Sequence, residues 1–365
     1  MQFDFFPSRS LTLYLAKLFI TRILAMLVML VIVLMALDLL SRTGEILAVP
    51  GNGQGELLTY IGLRVPQLIA RFLPYSVLLA TLITLVTLNQ NSEVVAMKAA
   101  GLSAHQVLAP LLLTAALVSV ANFAFNERVV TRATATLKAW QANDYGPIPA
   151  DPGVRSNVYL TDGANILTAT TLTGKGSNTR MEGVTWYSRD PNGMISEQLR
   201  AESASFANPG WKLSNVEQFD VSAADTRTVE SLVVGKGLTI AQIEMESVDP
   251  ETQDFFELSR SIDAYEAIGR RTTELRAKWW HKISGPLSAF LMPLLGAVAA
   301  FGLARSGQLF VRAIIGMALG FAYFVVDNAA LAMGSFGGYP PLLAAWAPFF
   351  LFLLIGETVL IRTEE

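Results

Sequence analysis

The hydrophobic positions of this chain fall into long apolar stretches, and one long polar region separates the first three stretches from the last three. A helix needs about 20 mostly apolar residues to cross the hydrocarbon core of a bilayer. By this length, the pattern predicts an α-helical membrane protein with six transmembrane helices. They are predicted at residues 11–40, 61–88, 102–125, 283–303, 309–333 and 342–361.

The polar region, residues 127–282, contains short runs in which apolar and polar residues alternate. Turn residues such as Asp162-Gly163 and the segment 190–193 separate these runs, which is typical of a β-sandwich or a jelly roll. Helical patterns at residues 129–143 and 255–282 flank the strands. We therefore predict three parts: residues 1–126 with transmembrane helices 1–3, residues 127–282 with an inserted all-β jelly roll, and residues 283–365 with transmembrane helices 4–6.

Composition narrows the class of protein. Of the 365 residues, 52% are hydrophobic and only 16% are charged, whereas soluble domains usually carry about 25% charged residues. The net charge of −3 provides no basic field for nucleic acid, so we expect no nucleic-acid partner. The absence of cysteine excludes disulfides and thiol chemistry, and the two histidines lie far apart in the sequence. We therefore expect neither a metal site nor catalytic residues in this chain.

The basic residues next to the predicted spans favour one orientation. An even number of spans puts both termini on the same side of the membrane, and six basic residues share that side. They are Arg9, Lys17, Lys98, Arg305, Arg312 and Arg362. Because basic residues concentrate in cytoplasmic loops, both termini are predicted to be cytoplasmic and the β domain to lie on the opposite side.

A short polar helix is predicted at about residues 91–100, between the second and third spans. Ser92 is suited to cap its N-terminus, because a serine side chain accepts hydrogen bonds from the free backbone N–H groups there. Glu93 lies in the first turn, where the helix dipole favours an anion. Gly101 is a natural stop, since glycine readily adopts the left-handed conformation that ends many helices.

The faces of this short helix leave two interpretations open. Val94, Val95 and Met97 are expected to make apolar contacts, whereas Glu93 and Lys98 are expected to be exposed. An amphipathic helix of this kind can simply lie on the bilayer surface. Alternatively, it is a docking helix for a cytoplasmic motor subunit.

Five segments of the chain are similar, in the same order, to segments of one known family. They are SEVVAMKAAGLS, RVPQLIARFLPYSVLLATL, WWHKISGPLSAFLMPLLG, IIGMALGFAYFVVDNAALAMG and GGYPPLLAAWAPFF. They resemble the cytoplasmic coupling helix and the second, fourth, fifth and sixth spans of the LptF/LptG permeases of the lipopolysaccharide export ABC transporter. The resemblance covers essentially the whole chain, and FVVDN and GYPP are more similar to the LptG branch than to the LptF branch.

The resemblance implies a permease subunit in the inner membrane of a Gram-negative bacterium. Such a subunit extracts lipopolysaccharide from that membrane and passes it to a periplasmic protein bridge towards the outer membrane. The implied partners are an LptF-like permease, an LptB-like ATPase dimer, an LptC-like periplasmic or membrane protein, and lipopolysaccharide itself. In this family the β domain is a periplasmic jelly roll.

The chain has no GxxxxGKS/T phosphate loop, so we expect that it does not hydrolyse ATP and is not an enzyme. ATP and Mg²⁺ are then expected on the partner ATPase. The resemblance places Glu93 where the coupling-helix glutamate of the family meets that ATPase. The alternative is an acid that only complements the helix dipole, which contributes about 0.3–1 kcal/mol at an exposed site.

Basic residues near the outer leaflet are candidates for binding lipid phosphate, because the implied substrate is a phosphorylated glycolipid. A guanidinium group binds phosphate through a planar, bidentate fork. The candidates are Arg42, Arg71, Arg132 and Lys138. The alternatives are side chains that extend to lipid headgroups, for Arg42 and Arg71, and a solvated helix face, for Arg132 and Lys138.

Four further residues are candidates for the cavity or the gates. Asp38 and Asp327 are ionisable groups within predicted spans, and such groups usually face a cavity or a partner. Gly316 and Gly320 form a GxxxG pattern, which lets helices approach closely. The resemblance places the fifth span at a gate between subunits, and the alternative for this glycine pair is packing within one subunit.

The apolar positions of the β region predict an interior face that is either a closed core or, as the resemblance implies, a groove for acyl chains. The candidates are Ile166, Leu167, Val184, Trp186, Phe206, Trp211, Leu213 and Phe219.

Two alternative functions remain open at this point. One is the permease of a different ABC system, of the mechanotransmission type, which moves no lipid. The other is a membrane-anchored envelope assembly protein whose β domain binds partners without transport. The proteins and lipids that co-purify with the chain would distinguish them.

Overall fold

The computed structural model describes residues 6–147, 155–174, 176–190, 193–221, 225–239, 248–267, 269–301 and 309–364. The chain divides into two compact units. The first unit takes residues 1–41, 61–133 and 253–365, and the second takes residues 42–60 and 134–252.

Along the sequence, the described residues form long helices before and after a β region. These helices are α1 (Arg9–Leu47), α2 (Gln54–Gln90), α3 (Glu93–Ala99), α4 (Ala104–Phe125), α5 (Thr131–Ala142), α6 (Phe255–Ala267), α7 (Thr273–Phe301), α8 (Leu309–Ser335) and α9 (Pro341–Glu364). A π-helix at Asn126–Val130 joins α4 to α5.

Five described helical segments are long and apolar enough to cross a membrane: α1, α2, α4 continued through α5, and most of α8 and α9. Residues 283–301 of the predicted fourth span lie in α7, which has 29 residues and ends next to residues outside the described part. The helical membrane-protein class is therefore confirmed, while the number of six spans stays a prediction. α2 continues through Pro66 and Pro74, as membrane helices often do when neighbouring groups satisfy the freed carbonyls.

α1 packs on the rest of the first unit through a single stripe. Its buried side chains recur every four residues, a spacing that keeps them on one helical face. These side chains are Leu15, Phe19, Ile23, Leu27, Val31 and Met35. Apolar side chains on its other faces, including Leu24, Val28 and Ile32, are exposed, as expected for a helix that faces lipid or another subunit.

Glu127 of the π-helix connects α6 and α7. Its carboxylate accepts a hydrogen bond from the backbone N–H of Phe255, at the start of α6, and lies 3.3 Å from the ammonium of Lys282 on α7. Trp279 of α7 stacks on Phe255 and donates its indole N–H to the Phe255 carbonyl at 3.1 Å. These contacts fix the start of α6 against α7.

The inserted β region forms one antiparallel sheet in the described residues. Its strands are β1 (Arg155–Asp162), β2 (Asn165–Thr173), β3 (Arg180–Arg189), β4 (Ile195–Phe206), β5 (Trp211–Asp220) and β6 (Asp225–Val234), and each pairs with the next in sequence order. A jelly roll instead has two sheets joined by Greek-key connections. The described strands thus form a meander, because short turns such as residues 163–164 connect each strand directly to its neighbour. The predicted all-β insertion is confirmed, and the strand order is simpler than predicted.

One face of this sheet is apolar, and the segment that follows β6 lies against it. Leu238 of this segment belongs to the apolar cluster, and its carbonyl accepts a hydrogen bond from the Trp211 indole at 3.1 Å. The Gly237 N–H donates to a carboxylate oxygen of Asp162, at the end of β1, at 3.2 Å. This hydrogen bond links the first strand to the segment after the last strand.

Partway along β3 and β5, the alternation of inward-facing and outward-facing residues shifts by one position. In β5 the buried positions step from Leu213 to Val216 instead of every second residue, and Asn215 between them has a left-handed backbone with φ 55°. β3 makes the same change just before Val184, at Gly183, with φ 60°. After Gly183 and Asn215, the residues that the regular alternation of a strand would place on the inner face therefore lie on the outer face.

Candidate functional site

α3 is a seven-residue helix. Its C-terminus matches the sequence prediction, whereas its N-terminus does not. At its C-terminus, Gly101 has φ 87°, its N–H donates to the Lys98 carbonyl at 3.0 Å, and the Leu102 N–H donates to the Met97 carbonyl at 3.1 Å. This pair of hydrogen bonds is a Schellman motif, which requires a left-handed residue such as glycine. The helix thus ends where the sequence predicts.

The predicted N-cap role of Ser92 is wrong. Ser92 has a left-handed backbone with φ 58°, and its side chain makes no capping hydrogen bond. A capping serine normally has an extended backbone, which aims its hydroxyl at the N–H groups of the first turn. The capping serine of this loop is Ser103 instead, which forms a reciprocal capping box with Gln106 at the start of α4.

The two faces of α3 have different neighbours. Val94 and Met97, three residues apart, are buried within the first unit. Val95, predicted to make an apolar contact, has 60% of its surface exposed, because it lies away from the face that Val94 and Met97 share. Lys98 is exposed, as are Ala96 and Ala99. α3 therefore presents a small, mostly apolar surface with one basic residue.

Glu93 is half-buried, and two polar side chains contact its carboxylate. The Tyr14 hydroxyl, at the start of α1, donates to Oε2 at 3.1 Å. The Asn91 amide lies 3.4 Å from Oε1. The contact with Tyr14 joins residues 79 positions apart, so no local sequence signal could have indicated it.

Asp38 joins α1 to α2. Both of its carboxylate oxygens lie 3.1 Å from the guanidinium group of Arg64, and this guanidinium also donates to Gln67 at 2.7 Å. The bidentate geometry orients both side chains. Asp38 is therefore part of an ion pair within the chain.

The four phosphate candidates differ in what surrounds their charges. Arg42 is paired with Glu45 at 2.8 Å, one turn along the same helix. Lys138 lies between Asp249, at 2.6 Å, and Glu251, at 2.7 Å, so two carboxylates already neutralise its charge. This arrangement removes the support for Lys138 as a phosphate ligand.

Arg71 and Arg132 are exposed. Arg71 has no ion pair or hydrogen bond with any residue that the structure describes. Arg128, four residues before Arg132, is also exposed and was missed by the sequence analysis. The spacing of the two arginines just beyond the third predicted span was the available signal.

Asp327 of α8 is buried and lies next to His281 of α7. The imidazole Nε2 is 3.8 Å from Oδ2 of Asp327, while Oδ1 has no hydrogen-bond partner among the described residues. His281 Nδ1 is 3.3 Å from the Ser284 hydroxyl on the same helix. The polar neighbour of Asp327 within the chain is thus a histidine, at a distance longer than a hydrogen bond.

The GxxxG glycines lie in the interior of the first unit. Gly316 and Gly320 are both buried, and a methyl group added at Gly320 would overlap the side chain of Leu78 on α2. One turn further along α8, Phe324 stacks on Tyr75 of α2, with ring centroids 3.8 Å apart. The face of α8 that carries Gly320 therefore packs within the chain, which favours the second of the two sequence interpretations.

The interior candidates of the β region are mostly where the sequence predicts. Leu167, Val184, Trp186, Trp211 and Leu213 belong to the apolar cluster, and Phe206 packs against it.

Ile166 and Phe219 are the exceptions among these candidates. Ile166 is buried outside the cluster, because adjacent residues of a strand face opposite sides. Phe219 is 37% exposed, since the change of alternation at Asn215 turns it to the outer face. Leu232 of β6 pairs with Leu213 but remains 36% exposed, so the apolar face is less covered along β6.

Comparisons with known proteins match this chain to one family and to relatives whose names describe the same kind of protein. Residues 13–362 match the family described as lipopolysaccharide export system permease LptF/LptG. The chain is 26% identical over 365 residues to the lipopolysaccharide export system permease protein LptG of Escherichia coli strain K12, which covers 98% of this chain and 99% of that protein. It is 24% identical over 316 residues to the protein of the same name from Haemophilus influenzae strain Rd, covering 85% and 87% of the two chains.

Proposed function

The chain belongs to the LptF/LptG family of lipopolysaccharide export permeases, and from that membership we propose that it is the LptG-type permease subunit of an ATP-driven exporter. The exporter extracts lipopolysaccharide from the inner membrane of a Gram-negative bacterium and passes it to a periplasmic protein bridge towards the outer membrane. Both termini are then cytoplasmic and the β region periplasmic. The relatives named LptG, which match nearly end to end, support the LptG-type assignment.

The observation that carries this proposal is the exposed face of α3. This helix lies in the short loop between α2 and α4, is held by the burial of Val94 and Met97, and presents Val95 to its surroundings. Exposed apolar residues on a helix that is anchored by its opposite face are suited to contact another protein. The occupant that we propose is an LptB-like ATPase dimer, which binds ATP and Mg²⁺, because this chain has no phosphate-binding loop of its own.

In the proposed mechanism, closure of the ATPase dimer on ATP displaces α3. An LptF-like permease completes a cavity with this chain, and the displacement narrows that cavity. Lipopolysaccharide then leaves the membrane and moves to the β region and onward to an LptC-like protein. The residues of this chain bind and guide the lipid, while the ATP chemistry takes place on the partner.

Exposed arginines support the binding of a phosphorylated lipid. We propose Arg71, Arg128 and Arg132 as the phosphate-binding set, because their side chains are exposed. A guanidinium group can bind phosphate through two parallel hydrogen bonds. Arg42 is a weaker candidate, since Glu45 competes with a lipid phosphate for its guanidinium group.

The incompletely covered apolar face of the sheet supports a role in receiving acyl chains. Leu232 on β6 faces the same side as Leu213 and is partly exposed, and Phe206 is only partly buried against the cluster. An apolar face that is open along one edge can bind an alkyl chain and remove it from water, at about 0.8 kcal/mol for each buried CH₂ group.

A charge placed on the exposed face of α3 tests the docking proposal. Val95→Lys is expected to reduce the recovery of the ATPase with the tagged chain by about tenfold or more, because it buries an unpaired ammonium in the interface. The matched control is Val233→Lys, the same change at an exposed valine of β6, which should leave the recovery unchanged. Equal ATPase recovery with both variants would contradict docking on α3.

A further inference from the structure

The Tyr14–Glu93 hydrogen bond ties the proposed docking helix to the first membrane helix. The hydroxyl of Tyr14 donates to Oε2 of Glu93 at 3.1 Å. Tyr14 lies near the start of α1, and Glu93 is the first residue of α3. The bond therefore connects two elements that are separated in sequence by the whole of α2.

The chemistry of this bond suits it to orient the carboxylate. A hydroxyl that donates to an ionised oxygen forms a charge-assisted hydrogen bond, which is roughly twice as strong as one between neutral groups. The phenol ring is rigid, with two side-chain torsions, so the hydroxyl is presented from a defined direction. With the Asn91 amide near the other oxygen, both oxygens of Glu93 have a neighbouring donor.

A second polar contact anchors α1 at the same end of the first unit. The guanidinium of Arg22 donates to the backbone carbonyl of Ile83 on α2 at 2.9 Å, and its charge also acts on Glu93 and Tyr14. α2 leads directly into α3. α1 is thus joined by directional hydrogen bonds to the docking helix and to α2, which precedes it.

Between these hydrogen bonds and the Asp38–Arg64 ion pair further along the helix, α1 is held in a less directional way. Its buried side chains form one stripe of apolar residues, and its other faces are exposed. Apolar packing resists separation of helices but resists sliding and rotation less than a hydrogen bond of fixed geometry does. A displacement of α3 would therefore reach α1 most directly through Tyr14.

We propose that Tyr14 is a positioning residue that orients Glu93 and transmits the displacement of α3 to α1. This inference rests on the proposed docking of an ATPase at α3. Tyr14 itself is not assigned a contact with ATP, lipid or the ATPase.

A double-mutant cycle in the full complex tests the proposal. Tyr14→Phe removes only the hydroxyl, so the ATPase should still co-purify, and ATP should still be hydrolysed. The amount of lipopolysaccharide released per ATP hydrolysed should fall by about tenfold or more, the effect expected for loss of one hydrogen bond to a charged group. In a Glu93→Ala background, Tyr14→Phe should have no further effect on this ratio.

The matched control is Tyr339→Phe, which also removes a hydroxyl that donates to an oxygen of the first unit, here the Ala330 carbonyl at 2.8 Å. This variant should leave the ratio of lipid released to ATP hydrolysed unchanged. An unchanged ratio in Tyr14→Phe would overturn the proposal. So would a Tyr14→Phe defect that persists at full size when Glu93 is already alanine.

A cross-linking measurement separates this inference from the proposed function. The chain has no cysteine, so Tyr14→Cys combined with Glu93→Cys introduces one defined pair. A short bifunctional thiol reagent should cross-link the pair in membranes, without any need for ATPase activity. Failure of the ATPase to co-purify with the unmodified chain would contradict the proposed function and leave the Tyr14–Glu93 contact intact. Failure of the pair to cross-link would contradict the contact, and with it this inference, and leave the proposed function intact.

Discussion

Asp327 places a carboxyl group in the buried interior of the helical unit, with His281 as its neighbour at 3.8 Å. Replacing His281 by leucine leaves that carboxyl without its imidazole neighbour. At this distance the imidazole forms no direct hydrogen bond with the carboxyl group, so we expect His281→Leu to lower the free energy of unfolding by about 1 kcal/mol or less. Thermal unfolding of the detergent-solubilised protein, followed by intrinsic fluorescence, measures the change.

The double variant His281→Leu/Asp327→Leu is the control for this pair. Replacing both members of a buried polar pair by apolar residues is often nearly neutral, so the double variant should recover part of the lost stability. A double variant that is less stable than His281→Leu alone would show that Asp327 is stabilised by something other than His281.

Arg71 is expected to bind lipid phosphate, because its exposed guanidinium has no ion pair among the described residues. Arg71→Gln should reduce the lipopolysaccharide that co-purifies with the complex by about tenfold, as loss of a charge-assisted bidentate contact implies. Arg71→Lys should reduce it less, because the charge remains and the planar fork is lost.

The control for Arg71 is Arg260→Gln, at an exposed arginine of α6 whose guanidinium donates to the Phe256 carbonyl at 3.4 Å. Quantitative mass spectrometry of lipids from each purified complex compares the variants. If Arg71→Gln and Arg260→Gln retain the same amount of lipopolysaccharide, Arg71 is not a phosphate ligand.

The residue types at the candidate sites were predictable, but their partners were not. Lys138 and Asp249 are 111 positions apart, and no local pattern relates them. Charged side chains in and near apolar helices are conspicuous in the sequence because they are rare there. Which opposite charge lies beside each one depends on how the helices pack, and this is a property of the folded chain.

At the scale of elements, the close approach of α8 to α2 depends on Gly320. Gly320→Ala would place a methyl group against Leu78, and we expect it to destabilise the protein by about 1–3 kcal/mol, the usual effect of overpacking. Adding Leu78→Ala should restore part of this stability, because it makes room for the methyl group. The same thermal unfolding measurement applies.

Gly62→Ala is the control for this substitution. It also changes a glycine of a membrane helix, but a methyl group at Gly62 meets no atom within 4 Å. Because alanine is a better helix former, this variant should be neutral or more stable by about 0.5–1 kcal/mol. If both glycine variants are equally stable, the close contact between Gly320 and Leu78 is absent.

The turn between α6 and α7 is held by an ion pair outside the membrane-spanning segments. Hydrogen bonds from Arg276 and then from Thr272 lower the pKa of Glu266 from 4.5 to about 2. Because the pKa is depressed in the folded state, this pair stabilises the turn fully above pH 4.5 and loses its effect as the pH falls towards about 2.

Glu266→Gln should mimic the protonated state at neutral pH. Trypsin cleavage after Arg270 and Arg271, within this turn, is expected to become about twofold to fivefold faster, a small effect because the pair is exposed. High salt should raise the cleavage rate of the unmodified protein towards that of the variant, since salt screens exposed ion pairs. A salt-independent difference between the two would assign the effect to something other than this ion pair.

The sequence predicted which segments are helices and which are strands more accurately than it predicted which strand residues face the interior. Long apolar runs predict membrane helices regardless of their neighbours, because a lipid-exposed backbone must satisfy its own hydrogen bonds. The interior face of the β region was predicted from strict alternation, and this failed at Phe219. Asn215 reverses the alternation of β5 through its left-handed backbone, and no residue type in the strand signals such a reversal unambiguously.

At the scale of the whole molecule, the chain has the features of one component of a larger assembly. α1 exposes apolar side chains on most of its surface, α3 exposes Val95, and β6 exposes both faces of its strand. Exposed apolar surface on a membrane protein is covered either by lipid or by partner subunits. The proposed partners account for the last two of these surfaces: an ATPase on α3, and a lipid chain or a neighbouring protein along β6.

The most direct test of the account is affinity purification of the tagged chain from native membranes, followed by mass spectrometry of the proteins and lipids that accompany it. The account predicts a second permease of the same family, an ATPase and lipopolysaccharide in one preparation. Recovery of an ATPase without lipopolysaccharide would contradict lipid export and favour a permease of another ABC system. Recovery of neither would contradict the central claim that this chain is the permease subunit of an ATP-driven lipopolysaccharide exporter.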